Sequence, residues 1–116
     1  WSPWCNVPIK YLGNMFLDFW PDFPGKRVAY AASFGGGEWI YTPEQDKLCG
    51  ELAKKFDAIS VREASGVQLC KEYFGVEATH VLDPTLLLTA RDYELLLPQQ
   101  QNETNTLLAY VLDIFP

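Results

Sequence analysis

The chain has 116 residues, room for one domain, and sets nine Lys and Arg against fifteen Asp and Glu for a net charge of −6. With 48% hydrophobic, 15% aromatic and 21% charged residues it has a globular composition, not that of a disordered tail. The acidic balance excludes a whole-surface basic footprint, so neither nucleic acid nor an anionic membrane is an expected partner. Cys5, Cys49 and Cys70 form no CxxC pair and His80 is the single histidine, so no metal site of the usual zinc spacing is expected. Unpaired thiols suit a reducing cytoplasm. The longest apolar run, Leu107 to Leu112, is strand-length and far from the ~20 residues of a membrane span, so no transmembrane segment is expected. The first residues carry neither the basic start nor the apolar stretch of a signal peptide.

Residues 1–27 are rich in aromatics and broken by Pro3, Pro8, Gly13, Pro21, Pro24 and Gly25, which reads as an irregular arm with a short strand over 16–19. Val28–Phe34 is an apolar run of small side chains, the pattern of a parallel strand covered on both faces. Thr42-Pro43-Glu44-Gln45 starts a helix: Thr42 caps, Pro43 fits the first helical position and Gln45 completes a capping box. Leu48, Leu52 and Phe56 give that helix one apolar stripe. Ala58–Val61 is the next strand, residues 65–74 the next helix with Gly75 to end it, and Thr79–Leu82 a third strand. Thr89-Ala90-Arg91-Asp92 opens a short helix reaching Leu97. Strands alternating with helices predict an α/β fold, a Rossmann-like parallel sheet with flanking helices over 28–97. The polar stretch 98–106 reads as a linker, and 107–116 as the first strand of a second domain. A chain that starts without methionine and stops on a strand is expected to be a fragment.

In open parallel sheets ligands bind beyond the carboxyl ends of the strands, so three strand ends supply the candidate residues. After the first come Ser33, Phe34, Gly35, Gly36 and Gly37. The glycines let backbone N–H groups approach an anion or sugar, or serve only a loop that needs positive φ. There is no GxGxxG and no P-loop. At the second end Arg62 offers a planar fork for carboxylate or phosphate, unless it merely pairs with Glu63 or Asp57 while Ser60 and Glu63 cap the following helix. At the third, Asp83 before Pro84 suits an Asx turn closed by Thr85. His80 reads as a packed or rim histidine rather than a base. Trp1, Trp4, Trp20 and Trp39 either stack on sugar rings or pack in the core.

Three blocks in order resemble the polysaccharide pyruvyl transferase family: Tyr30–Gly35, then Phe56–Gly66 with its Ser60-Val61-Arg62-Glu63 centre, then Val81–Leu88 around Asp83-Pro84-Thr85, with Tyr110–Asp113 closing the match. The opening Trp1-Ser2-Pro3 is similar to residues just after that family's Gly-Ser-Asp-Gln loop, which would put the first residue in mid-domain. The resemblance implies a partial domain of a two-domain, glycosyltransferase-like enzyme of GT-B type. Such an enzyme moves the enolpyruvyl group of phosphoenolpyruvate onto two sugar hydroxyls as a pyruvate ketal. It implies phosphoenolpyruvate as donor substrate with no further cofactor, a free or lipid-linked saccharide acceptor, and a cytoplasmic setting that extends to the inner membrane face. Substrate- or anion-binding roles are implied for Arg62, Ser33, Gly35, Gly36, Glu63 and Asp83, with the catalytic acid outside this chain. The fragment alone would be inactive and would self-associate through the edge at 107–115. Two alternatives remain: a nucleotide-sugar glycosyltransferase of similar architecture, and a non-catalytic carbohydrate-binding or interaction module.

Overall fold

A computed structural model describes residues 8–97 together with Leu107, Ala109 and Tyr110. The expected linker over 98–106, most of the expected strand over 107–116, Trp1, Trp4 and Cys5 lie outside the described residues.

The three strands expected from the sequence form one parallel sheet: β1 (Val28–Ala32), β2 (Ala58–Val61) and β3 (Thr79–His80), in the order β1-β2-β3. Helix α2 (Pro43–Ala53) connects β1 to β2, and α3 (Ala64–Leu69) connects β2 to β3. Ahead of the sheet stand α1 (Ile9–Leu12) and a 3₁₀ turn (Gly13–Phe16); after it come a 3₁₀ turn (Pro84–Leu87) and α4 (Ala90–Glu94).

Local chemistry explains the boundaries. Thr42 Oγ1 accepts from the Gln45 N–H while Gln45 Oε1 accepts from the Thr42 N–H at 2.8 Å, the reciprocal box expected at the start of α2. Thr89 and Asp92 repeat the device at α4, which ends at Glu94 rather than reaching Leu97. Helix α3 runs on into a π-turn over Cys70–Phe74, and Gly75, at φ 66°, turns the chain out of it. The Val76 N–H closes that end on the Cys70 carbonyl at 3.2 Å.

The core lies between the sheet and the helices. Ile59 and Val61 of β2 meet Leu69 and Cys70 of the α3 segment and Cys49, Leu52 and Ala53 of α2, all buried. Phe74 is the hub of an aromatic cluster, with ring centroids 5.8 Å from Phe16, 5.7 Å from Phe34, 5.4 Å from Trp39 and 6.2 Å from Tyr41. Gly66 lets α3 approach β2: a Cβ there would stand 3.2 Å from Val61 Cβ and 3.3 Å from the Phe34 ring. At the opposite end of the sheet Arg27 is buried. Its guanidinium donates to the carbonyls of Trp20 and Pro21, and its N–H donates to Asp57 Oδ2 at 2.8 Å, tying the arm to the start of β2.

Two local expectations need correction. The strand expected over 16–19 is the end of the 3₁₀ turn followed by a tight turn. The Asp18 N–H bonds to the Gly13 carbonyl at 3.2 Å and Leu17 takes φ 59°, so the chain folds back and seats Leu12 and Phe16 in the core. β1 is not covered on both faces by the described residues, since Val28 and Tyr30 are 57% and 54% exposed. Nor is β1 regular. Its partners on β2 run Val28–Ala58, Ala29–Ile59 and then Ala32–Val61, so Tyr30 and Ala31 together oppose Ser60. That two-against-one count is a β-bulge, and it holds Ala31 at φ 51°, a left-handed conformation that costs a Cβ-bearing residue about 1–2 kcal/mol.

Candidate functional site

The carboxyl ends of all three strands converge on one polar network. From the tip of β2, Arg62 Nε lies 3.3 Å from Glu63 Oε1 and Nη1 lies 3.0 Å from Asp83 Oδ2. From the tip of β1, the Ser33 hydroxyl donates to the same Glu63 Oε1 at 2.6 Å and accepts from the Gly35 N–H at 3.0 Å. Beyond β3, Asp83 Oδ1 accepts from the Thr85 N–H at 2.9 Å and the Thr85 hydroxyl at 2.7 Å, the Asx turn anticipated from Asp83-Pro84-Thr85. These bonds, led by the Thr85 N–H and hydroxyl and assisted by the Arg62 charge, hold the Asp83 carboxyl below the usual carboxylate range.

Ser33, Gly35, Arg62, Glu63 and Asp83 therefore share one face of the molecule. Gly36 follows in the same bend without a described hydrogen bond, and of the loop glycines Gly35 takes the positive φ, 78°. Arg62 does pair with Glu63, but its second partner is Asp83, 21 positions along the chain, and not Asp57, which accepts the Arg27 N–H instead. Two of the guanidinium's three nitrogens are thereby fixed, and Nη2 makes no hydrogen bond among the described residues. The side chain keeps 43% of its surface open. Glu63 occupies the N-cap position of α3 without a side-chain capping bond. Its Oε1 takes both the Ser33 and Arg62 contacts, while Oε2 is buried and has no hydrogen-bond partner among the described residues. An orphaned carboxylate oxygen of this kind is costly to keep.

Three further side chains brace the network. His80 sits on the exposed rim with Nε2 3.2 Å from the Arg62 carbonyl oxygen, tying the tips of β2 and β3. The Tyr93 hydroxyl donates to the Thr85 carbonyl at 2.6 Å and braces the Asx turn from α4. The Ser60 hydroxyl accepts from the Ala31 N–H at 3.0 Å and donates to the Ala29 carbonyl at 3.1 Å. The rim position is one of the two expected for His80, whereas Ser60, expected as a cap of the following helix, does not cap α3 and serves β1 instead; nothing local marks Tyr93.

Trp39 belongs with the core and not with a sugar platform. Its ring lies parallel on Tyr73 at 3.9 Å and its Nε1–H donates to Asp46 Oδ1 at 2.9 Å. Trp20 stays half exposed, edge-on to Phe23 at 4.9 Å. A recess of about 310 Å³ beside the glycine loop is bounded by Gly37, Trp39, Ser65, Gln68, Glu72 and Tyr73. No cluster of His, Cys, Asp and Glu fit to hold a metal occurs among the described residues, and none of their helices is long and apolar enough to cross a membrane.

Three parallel strands with crossover helices between them and a shared polar network at their carboxyl ends define an α/β unit of the open parallel-sheet class. Within that class the chain's membership is specific: the family model for polysaccharide pyruvyl transferase matches residues 7–114, and the chain belongs to this family. No curated protein and no solved structure gives a significant match.

Proposed function

We propose that this chain is part of a transferase that moves the enolpyruvyl group of phosphoenolpyruvate onto two hydroxyls of a saccharide, and that the strand-tip network forms one wall of its substrate cleft. The observation that carries the reading is Arg62, held at the tip of a parallel strand by a carboxylate on either side in a chain of this family. In the reaction both acceptor oxygens bond to C2 of the donor and the C2–O bond to phosphate breaks. One acceptor proton ends on C3, making it a methyl group, and the other leaves with phosphate. The fixed Nε and Nη1 orient the guanidinium so that its Nη2 edge meets one anionic group of the donor, through charge-assisted bonds worth about 1.5–3 kcal/mol each. Glu63 and Asp83 are carboxyl groups facing an anionic donor, so their part is to orient Arg62 rather than to bind the donor. With one cation against two carboxylates, this wall needs further cations from elsewhere to hold a trianionic donor. Those cations and the proton donor to C3 are assigned to a second domain of a GT-B-like architecture, acting on a free or lipid-linked saccharide in the cytoplasm or at the inner membrane face.

The test is to supply the full-length protein with phosphoenolpyruvate or a nucleotide-sugar and an acceptor saccharide, following phosphate release and the ketal methyl signal by NMR. Phosphoenolpyruvate-dependent ketal is expected. Arg62→Ala should lower kcat/KM by about ten- to a hundredfold with folding intact. Glycoside formation from the nucleotide-sugar alone would replace the reading, and wild-type turnover in Arg62→Ala would remove Arg62 from the site.

A further inference from the structure

The bulge in β1 decides which way the residues after it face. Side chains alternate along a strand, and one inserted residue reverses the facing of all that follow. Ala29 packs against the core before the bulge; after it Ala32 packs there and Phe34 is buried within it. The core-facing positions thus change from odd to even across Tyr30–Ala31. Ser33 lies between two core-facing residues, directed away from the core, where its hydroxyl reaches Glu63 Oε1 at 2.6 Å. An unbulged β1 would turn Ser33 toward the helices and Phe34 out of the aromatic cluster.

Opening a bulge leaves backbone groups without ladder partners, and here one hydroxyl serves two of them. Ser60 Oγ accepts from the Ala31 N–H at 3.0 Å and donates to the Ala29 carbonyl at 3.1 Å, on both sides of the extra residue. The regular pattern resumes directly afterwards, with the Arg62 N–H on the Ala32 carbonyl at 3.1 Å. Ala31 has a Cβ and takes φ 51°, a conformation glycine would adopt freely, so an outside contact must hold it there.

We propose that Ser60 is a positioning residue of the strand-tip site: its hydroxyl fixes the β1 bulge and thereby presents Ser33 to Glu63 and Arg62. The link to turnover rests on the transferase reading above; the structural claim does not.

The experiment compares Ser60→Ala, Ser60→Thr, Ser33→Ala and the double variant Ser60→Ala/Ser33→Ala in the full-length protein. Amide exchange at Ala31 and backbone shifts of residues 33–35 are read beside turnover. Ser60→Ala is expected to speed Ala31 exchange at least tenfold and to move the Ser33 and Gly35 resonances, while Ser60→Thr, which keeps the hydroxyl, restores both. Turnover should fall to a similar extent in Ser60→Ala, Ser33→Ala and the double variant, because each removes the same Ser33–Glu63 contact; a purely structural lesion would instead multiply with the second. Should Ser60→Ala fail to fold, Ala31→Gly added to it is expected to restore folding by relieving the left-handed strain, and the comparison proceeds in that background. Unchanged Ala31 exchange in Ser60→Ala, or multiplicative losses in the double variant, would overturn the proposal. If the wild type makes no ketal, the transferase reading fails, while the exchange and shift data still decide the role of Ser60.

Discussion

Raising the pH should unfold this protein through two thiols that play no part in the site. Cys49 and Cys70 are fully buried and face each other's elements, α2 and the π-turn. Burial, assisted by the nearby Asp46 charge, pushes the Cys49 thiol up from 9.0 to about 12, and burial pushes Cys70 up from 9.0 to about 11. Above pH 9 the unfolded chain releases both protons while the folded one keeps them, so stability is whole below pH 9 and falls as pH rises. Each thiol removes about 1.4 kcal/mol per pH unit, the loss ending at about pH 11 for Cys70 and about pH 12 for Cys49. Between pH 8.5 and 10 the pair removes about 2.5 kcal/mol, a large share of the margin of a small fold. Urea titrations across that interval should show it. Cys49→Ala should halve the pH dependence, whatever it does to stability at pH 7. Tyr73, whose hydroxyl is also raised by burial and by Glu72, acts with the same sign, so the difference between variants and wild type is the decisive quantity. An identical slope in wild type and Cys49→Ala would refute the account.

Phe74→Ala should cost about 3–5 kcal/mol, because it removes the ring on which Phe16, Phe34, Trp39 and Tyr41 converge; a loss below about 1 kcal/mol in urea denaturation would show that the cluster is not the core. Gly66→Ala gains about 1 kcal/mol in helix propensity, but its Cβ crowds Val61 and Phe34, an overpacking cost of about 1–3 kcal/mol, so a net loss is expected in thermal unfolding and a net gain would show that the neighbours yield. Thr42→Ala should cost about 1 kcal/mol through the lost cap of α2, read as a lower denaturation midpoint at unchanged slope; an unchanged midpoint would count against the cap.

Most of the sheet was legible because its signals are local. Thr42 to Gln45 mark a helix start, Gly75 a helix end, and small apolar runs the strands, and each acts over a few residues. The convergence of Ser33, Arg62 and Asp83 followed from the rule that parallel strand ends share a side. Glu63 was legible as a partner of Arg62 because it is the next residue, but Asp83 was not, since it becomes a neighbour only once β3 has paired with β2. The arm misled for a different reason. Phe16 and Phe19 with Leu17 and Asp18 between them mimic a strand, and nothing in Leu17 announces a left-handed residue. The outward face of β1 follows from the same limit, because an apolar run reads alike whether one face is covered or two. The bulge was hidden most completely. Bulges that demand positive φ usually advertise themselves with glycine, whereas here the position is Ala31 and the compensation comes from Ser60, 29 residues away.

The surplus residue in β1 also bears on how relatives of this chain should be aligned. A homologue whose first strand is regular would match this one up to Ala29 and again from Ala32 only if a one-place gap is opened between them. Aligned from Ala29 without that gap, its polar loop residue would be set against Ala32 and its buried aromatic against Ser33. Comparisons that forbid indels within strands will therefore misassign this loop in the very relatives where the insertion is absent.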